Sequence, residues 1–178
     1  GVAKGAGMIE PHMATMLAFI ITDADIDSRV LKTVFKEAAD RSFNAITVDG
    51  CMSTNDTAII LANGIAGNKQ LTSHSVNTSL FKEMLSHVVN DLSLYMVRDG
   101  EGATKVIDIF VDNAKSLEDA KRVAYAIANS NLVKTAFYGC DPNWGRIIAA
   151  AGSAGVEFRI DDITLYIVNI PVFTRGCR

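Results

Sequence analysis

The sequence predicts a layered α/β fold, in which helices pack against a β-sheet. Short apolar runs typical of strands alternate along the chain with amphipathic stretches whose apolar residues recur at helical spacing. The chain has 178 residues, 49% of them hydrophobic, and this length suits one domain with a sizeable core. We therefore expect residues 1–178 to form a single domain. The alternation by itself does not decide whether the sheet is parallel or mixed.

The first half of the chain combines predicted strands with two long helical patterns. Residues 13–22 form an apolar run that is typical of a buried strand. Residues 27–43 carry apolar side chains at helical spacing, and Asp27 or Ser28 can cap the start of that helix. The sequence further predicts strands over 45–48 and 58–62, a helix over 78–97, and polar turns over 49–56, 63–75 and 99–102.

The second half of the chain alternates in the same way. Ser116 and Asp119 have the spacing of a capping box, which predicts a helix over residues 116–131. A turn of Asp, Pro and Asn opens a further helix, predicted over residues 144–154. Runs typical of strands occupy residues 104–111, 132–138 and 163–170.

The composition gives no reason to expect several classes of partner. The net charge is −3 and the basic residues are scattered, so we expect neither nucleic acid nor a membrane surface as a partner. No apolar stretch reaches transmembrane length, and no signal peptide is visible. The three cysteines and three histidines lack the spacing of a metal site, so we expect reduced thiols and no metal. A cytoplasmic location fits these features.

Thr15 is the strongest candidate nucleophile. It lies between the small residue Ala14 and an apolar run, so its Oγ could attack the Ala14 carbonyl and cut the chain at that bond. The new chain would begin at Thr15, with an α-amine beside its own hydroxyl. In N-terminal threonine enzymes the hydroxyl is the nucleophile and the α-amine is its general base. Taken alone, a threonine in such a run is more often a packed strand residue. The nearby His12 is interpreted as a loop residue, because a free α-amine needs no histidine.

Other polar motifs leave two interpretations open. The polar stretch over 49–57 is equally typical of a hydrogen-bonded turn and of a segment that lines a site. Gly5 and Gly7 can adopt backbone angles closed to other residues, so they could bend the chain around the cleavage bond. Arg146 follows the predicted start of a helix, where it could help to bind a carboxylate or simply belong to a turn and cap.

Four short segments, spread over residues 4–147, carry motifs that can be compared with known families. They are KGAGMIEPHMATML at 4–17, DGCMSTNDT at 49–57, DGEGATK at 99–105 and DPNWGRI at 141–147. In the same order, they resemble motifs of the ornithine acetyltransferase family, the bifunctional glutamate N-acetyltransferases of arginine biosynthesis. The resemblance implies helices packed on a mixed β-sheet, in a fold that is not of the Rossmann type.

The resemblance also implies a reaction and its residues. The enzyme would cleave itself between Ala14 and Thr15 and then move the acetyl group of N-acetylornithine to glutamate through an acetyl-threonine intermediate. Thr15, Lys4 and Glu101 match substrate-binding residues of the family; Lys4 would hold a carboxylate and Glu101 the amino group of ornithine. No cofactor is implied, although some family members use acetyl-CoA as a donor.

The resembled family assembles from the two products of cleavage. Residues 1–14 would be the end of an α piece and residues 15–178 most of a β piece, with two of each in a heterotetramer. The family takes its oxyanion-hole donors, a Thr-Gly pair, from a segment before the cleavage motif, and further substrate-binding residues lie near its C-terminus. We therefore expect a partial domain with little or no transferase activity by itself.

Two other functions remain open from the residues alone. A self-processing amidase or aminopeptidase of similar fold would pass its acyl group to water instead of glutamate. A non-catalytic binding or structural domain would use Thr15 only as a core residue, so that a Thr15→Val substitution would be nearly neutral.

Overall fold

The computed structural model describes residues 1–10, 16–51 and 55–174. The chain divides into two compact units, Gly1–Ala103 and Thr104–Arg178. The organisation of residues 1–178 as one domain stays a prediction. None of the helices in the described ranges is both long and apolar enough to cross a membrane.

A mixed β-sheet forms the centre of the first unit. Among the described residues it has three strands, and β2 lies in the middle. β1 (Val2–Lys4) pairs antiparallel with β2 (Leu17–Thr22), and β2 pairs in parallel with β3 (Thr57–Ala62). The strands predicted over 13–22 and 58–62 are therefore confirmed from Leu17 and from Thr57 onward, and residues 13–15 lie outside the described part.

Helices α1 (Ser28–Asp40) and α2 (Asn77–Arg98) lie close to their predicted ranges. Asp27 caps α1, since its carboxylate accepts hydrogen bonds from the backbone N–H groups of Arg29 and Val30 at 2.9 and 3.2 Å. Both helices pack against one face of the sheet, where they share a core. Its buried members include Ala18, Ile20, Val34, Ala38, Leu85, Val89 and Met96.

The opposite face of the same sheet is apolar and exposed. Side chains alternate along a strand, so that Ala18 and Ile20 of β2 are 0% and 4% exposed while Phe19 and Ile21 are 43% and 75% exposed. The strand register places further apolar residues beside them. We call this surface the open sheet face; its residues are Val2, Phe19, Ile21, Ile59 and Leu61.

The second unit is mainly helical. Its described elements are α3 (Leu117–Ala128), α4 (Asn131–Tyr138), α5 (Trp144–Gly152), β4 (Thr164–Ile167) and β5 (Ile170–Thr174). Buried side chains from the helices form its core: Ile127, Val133, Ile147, Ala150 and Ala151. Trp144 stacks on Phe173 of β5, with 5.2 Å between the ring centroids. The helices predicted over 116–131 and 144–154 are confirmed, and Ser116 caps α3 as its capping-box pattern predicts.

The strand predicted over 132–138 is wrong, because these residues form α4. Ser130 accepts a hydrogen bond from the Val133 N–H group at the start of this helix. Val133 and Ala136, three positions apart, are both buried, as expected for one side of a helix. A short apolar run does not distinguish a strand from a buried helix, and the N-cap serine is the signal that favoured the helix.

Three other predicted strands also differ from the structure. Residues 45–48 are not a strand, since a 3-10 helix at Phe43–Ala45 precedes an irregular segment. Residues 104–111 have no regular secondary structure, because no strand among the described residues pairs with them. The single strand predicted over 163–170 is instead a hairpin of β4 and β5, turned at Val168 with a φ of 58°. Each error concerns partners that are distant in sequence or a turn without glycine.

Candidate active site

Carboxylates from one loop hold the backbone on both sides of residues 11–15, which lie outside the described part of the chain. Asp49 accepts hydrogen bonds from the N–H groups of Met8 and Ile9 at 2.6 and 3.1 Å. Asp56 Oδ1 accepts a hydrogen bond from the Met16 N–H group at 2.7 Å. The loop before β3 therefore anchors the described backbone before and after the predicted cleavage bond.

The chain bends over residues 6–8, before the predicted cleavage bond. Within this bend Met8 has a φ of 54°, whereas Gly5 and Gly7 are not among the residues with positive φ. The left-handed conformation costs a residue other than glycine about 1–2 kcal/mol. The short hydrogen bond from the Met8 N–H group to Asp49 helps to stabilise this conformation.

Sheet register explains why Asp56 lies beside Met16. Leu17 and Thr57 are partners in the parallel pair β2–β3, so the residues that precede them are also neighbours. The Thr57 N–H group donates to the Met16 carbonyl at 3.0 Å, next to the bond that Asp56 accepts. The N–H and carbonyl groups of Met16 are therefore both hydrogen-bonded, the first to Asp56 and the second to Thr57, at the start of β3.

The carboxyl group of Asp56 is partly desolvated. Its Oδ2 atom is buried and has no hydrogen-bond partner among the described residues. Burial raises the pKa of Asp56 above its usual value, and the hydrogen bond from the Met16 backbone opposes this shift. The pattern over residues 49–57 predicts only a turn or a segment that lines a site. It does not single out Asp56, because strand register cannot be seen in the sequence, or Asp49, whose partners lie 40 and 41 positions away.

Ala14 and Thr15, the predicted cleavage bond and nucleophile, lie outside the described residues, so their roles stay predictions. Met16 is the first described residue after them. Its side chain is 8% exposed and belongs to the core of the first unit. Strand β2 thus begins two residues after the predicted nucleophile.

Lys4 lies on the wall of a cavity of about 360 Å³ in the first unit. It is exposed at the end of β1 and pairs with Leu17 of β2. Arg98 and Asp99, at the end of α2, contribute opposite charges to the same wall. A cavity with these charges can accept an amino acid through its carboxylate and its amine. The other lining residues are Ala3, Gly5, Tyr95 and Met96.

Glu101 lies in the turn that follows α2. Its side chain is exposed, and its N–H group donates to the carbonyl of Ala6 at 2.9 Å. A Cβ atom at the preceding Gly100 would meet a methyl group of Val48 and the Val97 carbonyl oxygen, each at 3.1 Å, so there is little room for a side chain. The structure therefore brings the turn of Glu101 against the segment that contains Lys4, although Glu101 does not line the cavity beside Lys4.

Arg146 is engaged within the second unit. Its Nη1 atom donates to the Leu132 carbonyl at 2.9 Å and to Thr135 Oγ1 at 3.2 Å, so it holds α4 against α5. Asn143 caps α5 by accepting the Arg146 N–H group at 3.2 Å. This motif therefore acts as a turn and cap. Within the described ranges, no cluster of three or more His, Cys, Asp or Glu residues could hold a metal ion.

Comparison with known proteins identifies the family of the chain. The model of the ArgJ family matches residues 1–178. The chain belongs to the ArgJ family. This result confirms the relationship that the four motifs predicted.

Several ArgJ proteins are close in sequence. The chain is 54% identical over 176 residues to the arginine biosynthesis bifunctional protein ArgJ of Geobacter sulfurreducens, which covers 99% of the chain and 45% of that protein. It is 52% identical over 178 residues to the ArgJ protein of Dehalococcoides mccartyi, covering 100% of the chain and 44% of that protein. The chain therefore spans less than half the length of these curated relatives.

A crystal structure supports the fold. The ArgJ protein of Bacillus halodurans matches with a TM-score of 0.87 and 42% sequence identity, over 92% of this chain and 76% of that chain. Together with the mixed sheet of the first unit, this similarity confirms the predicted α/β fold that is not of the Rossmann type.

Proposed function

We propose that this chain carries the nucleophile of a self-cleaving acetyltransferase of arginine biosynthesis, which moves the acetyl group of N-acetylornithine to glutamate. The observation that carries the proposal is the ArgJ family match over residues 1–178, because that range includes all four motifs. The structure adds support, since Asp49 and Asp56 hold the backbone before and after the segment that would be cut.

The first stage is cleavage of the chain. Thr15 Oγ attacks the carbonyl carbon of Ala14, and the C–N bond of that peptide breaks. The hydroxyl proton passes to the leaving nitrogen, which becomes the α-amine of Thr15, while Ala14 is held as an ester. Water hydrolyses the ester, which yields a carboxylate at Ala14 and restores the Thr15 hydroxyl.

The second stage is acyl transfer. The α-amine of Thr15 takes the hydroxyl proton as Oγ attacks the acetyl carbonyl carbon of N-acetylornithine. The amide C–N bond breaks, the proton goes to the leaving amine, and ornithine departs from an acetyl ester of Thr15. The amino group of glutamate then attacks this ester, and the proton that it loses returns to Oγ, which releases N-acetylglutamate.

The charged residues of the first unit suit these substrates. Lys4 and Arg98 can hold carboxylates by charge-assisted hydrogen bonds, and Glu101 can hold the side-chain amine of ornithine. We infer that the two pieces, residues 1–14 and 15–178, stay together in an α2β2 assembly in the cytoplasm. No cofactor is needed for the transfer, and acetyl-CoA is a second donor to be tested in the same assay.

The test begins with the mass of the purified full-length protein. We expect two pieces that part between Ala14 and Thr15, a single uncut chain for Thr15→Ala, and slower cutting for Thr15→Ser. Transferase activity of Thr15→Ala should fall by at least about a thousandfold, because the nucleophile is lost. An active enzyme whose mature form never begins at Thr15 would refute the proposal.

The same samples separate the competing functions. An acetyltransferase forms N-acetylglutamate with each ornithine released, whereas an amidase or aminopeptidase forms free acetate whether or not glutamate is present. A non-catalytic domain would remain uncut, and Thr15→Val would behave like the wild type in both assays.

A further inference from the structure

We propose that Asp56 is a positioning residue for Thr15, acting through the backbone amide of Met16. The inference rests on the proposed function, in which Thr15 is first the residue that cuts the chain and then the acyl acceptor. It assigns to the segment over 49–57 a role that the motif comparison does not.

The hydrogen bond between Asp56 and Met16 lies one peptide group from the nucleophile. Asp56 Oδ1 and the Met16 nitrogen are 2.7 Å apart, a short distance typical of a charge-assisted bond. The Met16 nitrogen belongs to the peptide that joins it to Thr15. A peptide group is planar, so a hydrogen bond to its N–H group restricts rotation of the whole group. We infer that Asp56 acts on Thr15 through this covalent connection.

Met16 is held by a second backbone hydrogen bond and by burial of its side chain. The Met16 carbonyl accepts the Thr57 N–H group at 3.0 Å, and β3 continues in parallel register with β2 from there. The Met16 side chain is buried in the core of the first unit. Groups held on strands are placed more accurately than groups on free loops, as a nucleophile requires.

Stability alone does not account for a carboxylate at this position. Oδ2 is buried without a hydrogen-bond partner among the described residues, and burial raises the pKa of the group. Burial of an unpartnered carboxylate oxygen opposes folding, so an acid placed only to support the strand would be expected to satisfy both oxygens. A buried polar atom without a partner is an exception in folded proteins, and a functional role for the bond to Met16 would account for it.

The experiment compares variants of the full-length protein by their rate of self-cleavage, followed by intact mass. Asp56→Ala removes the acceptor and should slow cleavage at least about tenfold. Asp56→Asn keeps an oxygen that can accept the Met16 N–H group and should cleave within about threefold of the wild type. Asp27→Ala is the matched control, because it also removes a carboxylate that accepts backbone N–H groups, but at the start of α1, and it should cleave at the wild-type rate.

Two further readouts separate positioning from simple support of the fold. In a Thr15→Ala background, which keeps every protein uncut, Asp56→Ala should lower the melting temperature no more than Asp27→Ala does. In enzyme whose chain is made to begin at Thr15 by removal of an N-terminal fusion, with the preceding piece co-produced, Asp56→Ala should lower kcat about tenfold. The KM for N-acetylornithine should stay within about twofold.

The outcomes are decisive in each case. Wild-type cleavage and kcat in Asp56→Ala would overturn the inference, as would an Asp56→Asn variant that folds but is as slow as Asp56→Ala. If Asp56→Ala does not fold, cleavage by Asp56→Asn decides the question by the same threefold and tenfold limits. If the wild type does not cleave itself, the proposed function is wrong. If the wild type cleaves itself and Asp56→Ala cleaves at the same rate, only the role of Asp56 is wrong.

Discussion

Lys4 and Arg98 place their charged side chains on the wall of one cavity, and Asp99 adds an acidic group to it. Amino acids carry a carboxylate and an amine a few bonds apart, so a wall with both signs of charge can orient them. Each charge-assisted hydrogen bond contributes about 1.5–3 kcal/mol when it is formed to a charged group. Lys4 at the end of β1 and Arg98 at the end of α2 therefore suit substrate binding rather than the chemical step.

We expect Lys4→Met to raise the KM for N-acetylornithine about tenfold to a hundredfold, with a smaller effect on kcat. The reason is the loss of a carboxylate partner whose contribution is similar in the ground state and the transition state. Steady-state kinetics of the full-length enzyme measure the effect, and Lys69→Met, in the turn over 63–75, is the matched loss of a surface charge. Equal KM values for Lys4→Met and the wild type would remove Lys4 from the site.

At the scale of elements, α4 shows how the burial pattern decides the stability of a segment. Val133 is 2% exposed and faces the core of the second unit, while its neighbour Leu132 is 61% exposed. Ala136 is buried together with Val133, as expected for positions i and i+3 of a helix. A strand with one buried face would expose one of these two residues.

Val133→Ala should lower the free energy of unfolding by about 1–3 kcal/mol, because it leaves a void in a close-packed core. Leu132→Ala should change it by less than about 0.5 kcal/mol, since its side chain is already in water. Urea unfolding followed by circular dichroism gives both values. Equal losses for the two variants would contradict the helical assignment.

At the scale of the whole molecule, the open sheet face is a feature that affects behaviour in solution. Five large apolar side chains from neighbouring strands lie together on it, and Ile21 and Leu61 are 75% and 60% exposed. Contiguous apolar patches of this kind promote association between molecules. The 178-residue chain produced by itself should therefore form aggregates as its concentration rises.

The double variant Ile21→Thr and Leu61→Thr should increase the concentration at which this chain stays monodisperse. Threonine keeps the preference for strands while it removes apolar surface. Light scattering over a concentration series measures the change. The control is Ile20→Thr, which places a hydroxyl on the buried face of the same strand and should unfold the first unit instead. Unchanged aggregation in the double variant would contradict this account.

Local signals predicted much of the fold but not the pairing of distant residues. Asp27 predicts the start of α1 and Ser116 the start of α3, because a capping side chain binds backbone groups only a few residues away. The strand predicted over 132–138 is wrong because a short apolar run is also compatible with a buried helix, and the hairpin at Val168 was missed because its turn contains no glycine. Lys4 and Glu101 were found through motifs. Asp56 was not, since only the register of β2 and β3 brings it to Met16.

The antiparallel pairing of β1 with β2 has a consequence for the product of the cut. Val2–Lys4 would belong to the polypeptide that ends at residue 14, and Leu17–Thr22 to the polypeptide that starts at residue 15. Cleavage would thus leave two chains that are joined by the backbone hydrogen bonds of one sheet. From the same loop, Asp49 would bind the first chain and Asp56 the second. Separation of the fragments would require removal of an edge strand from a folded sheet. The fragments should therefore co-purify until the protein is denatured.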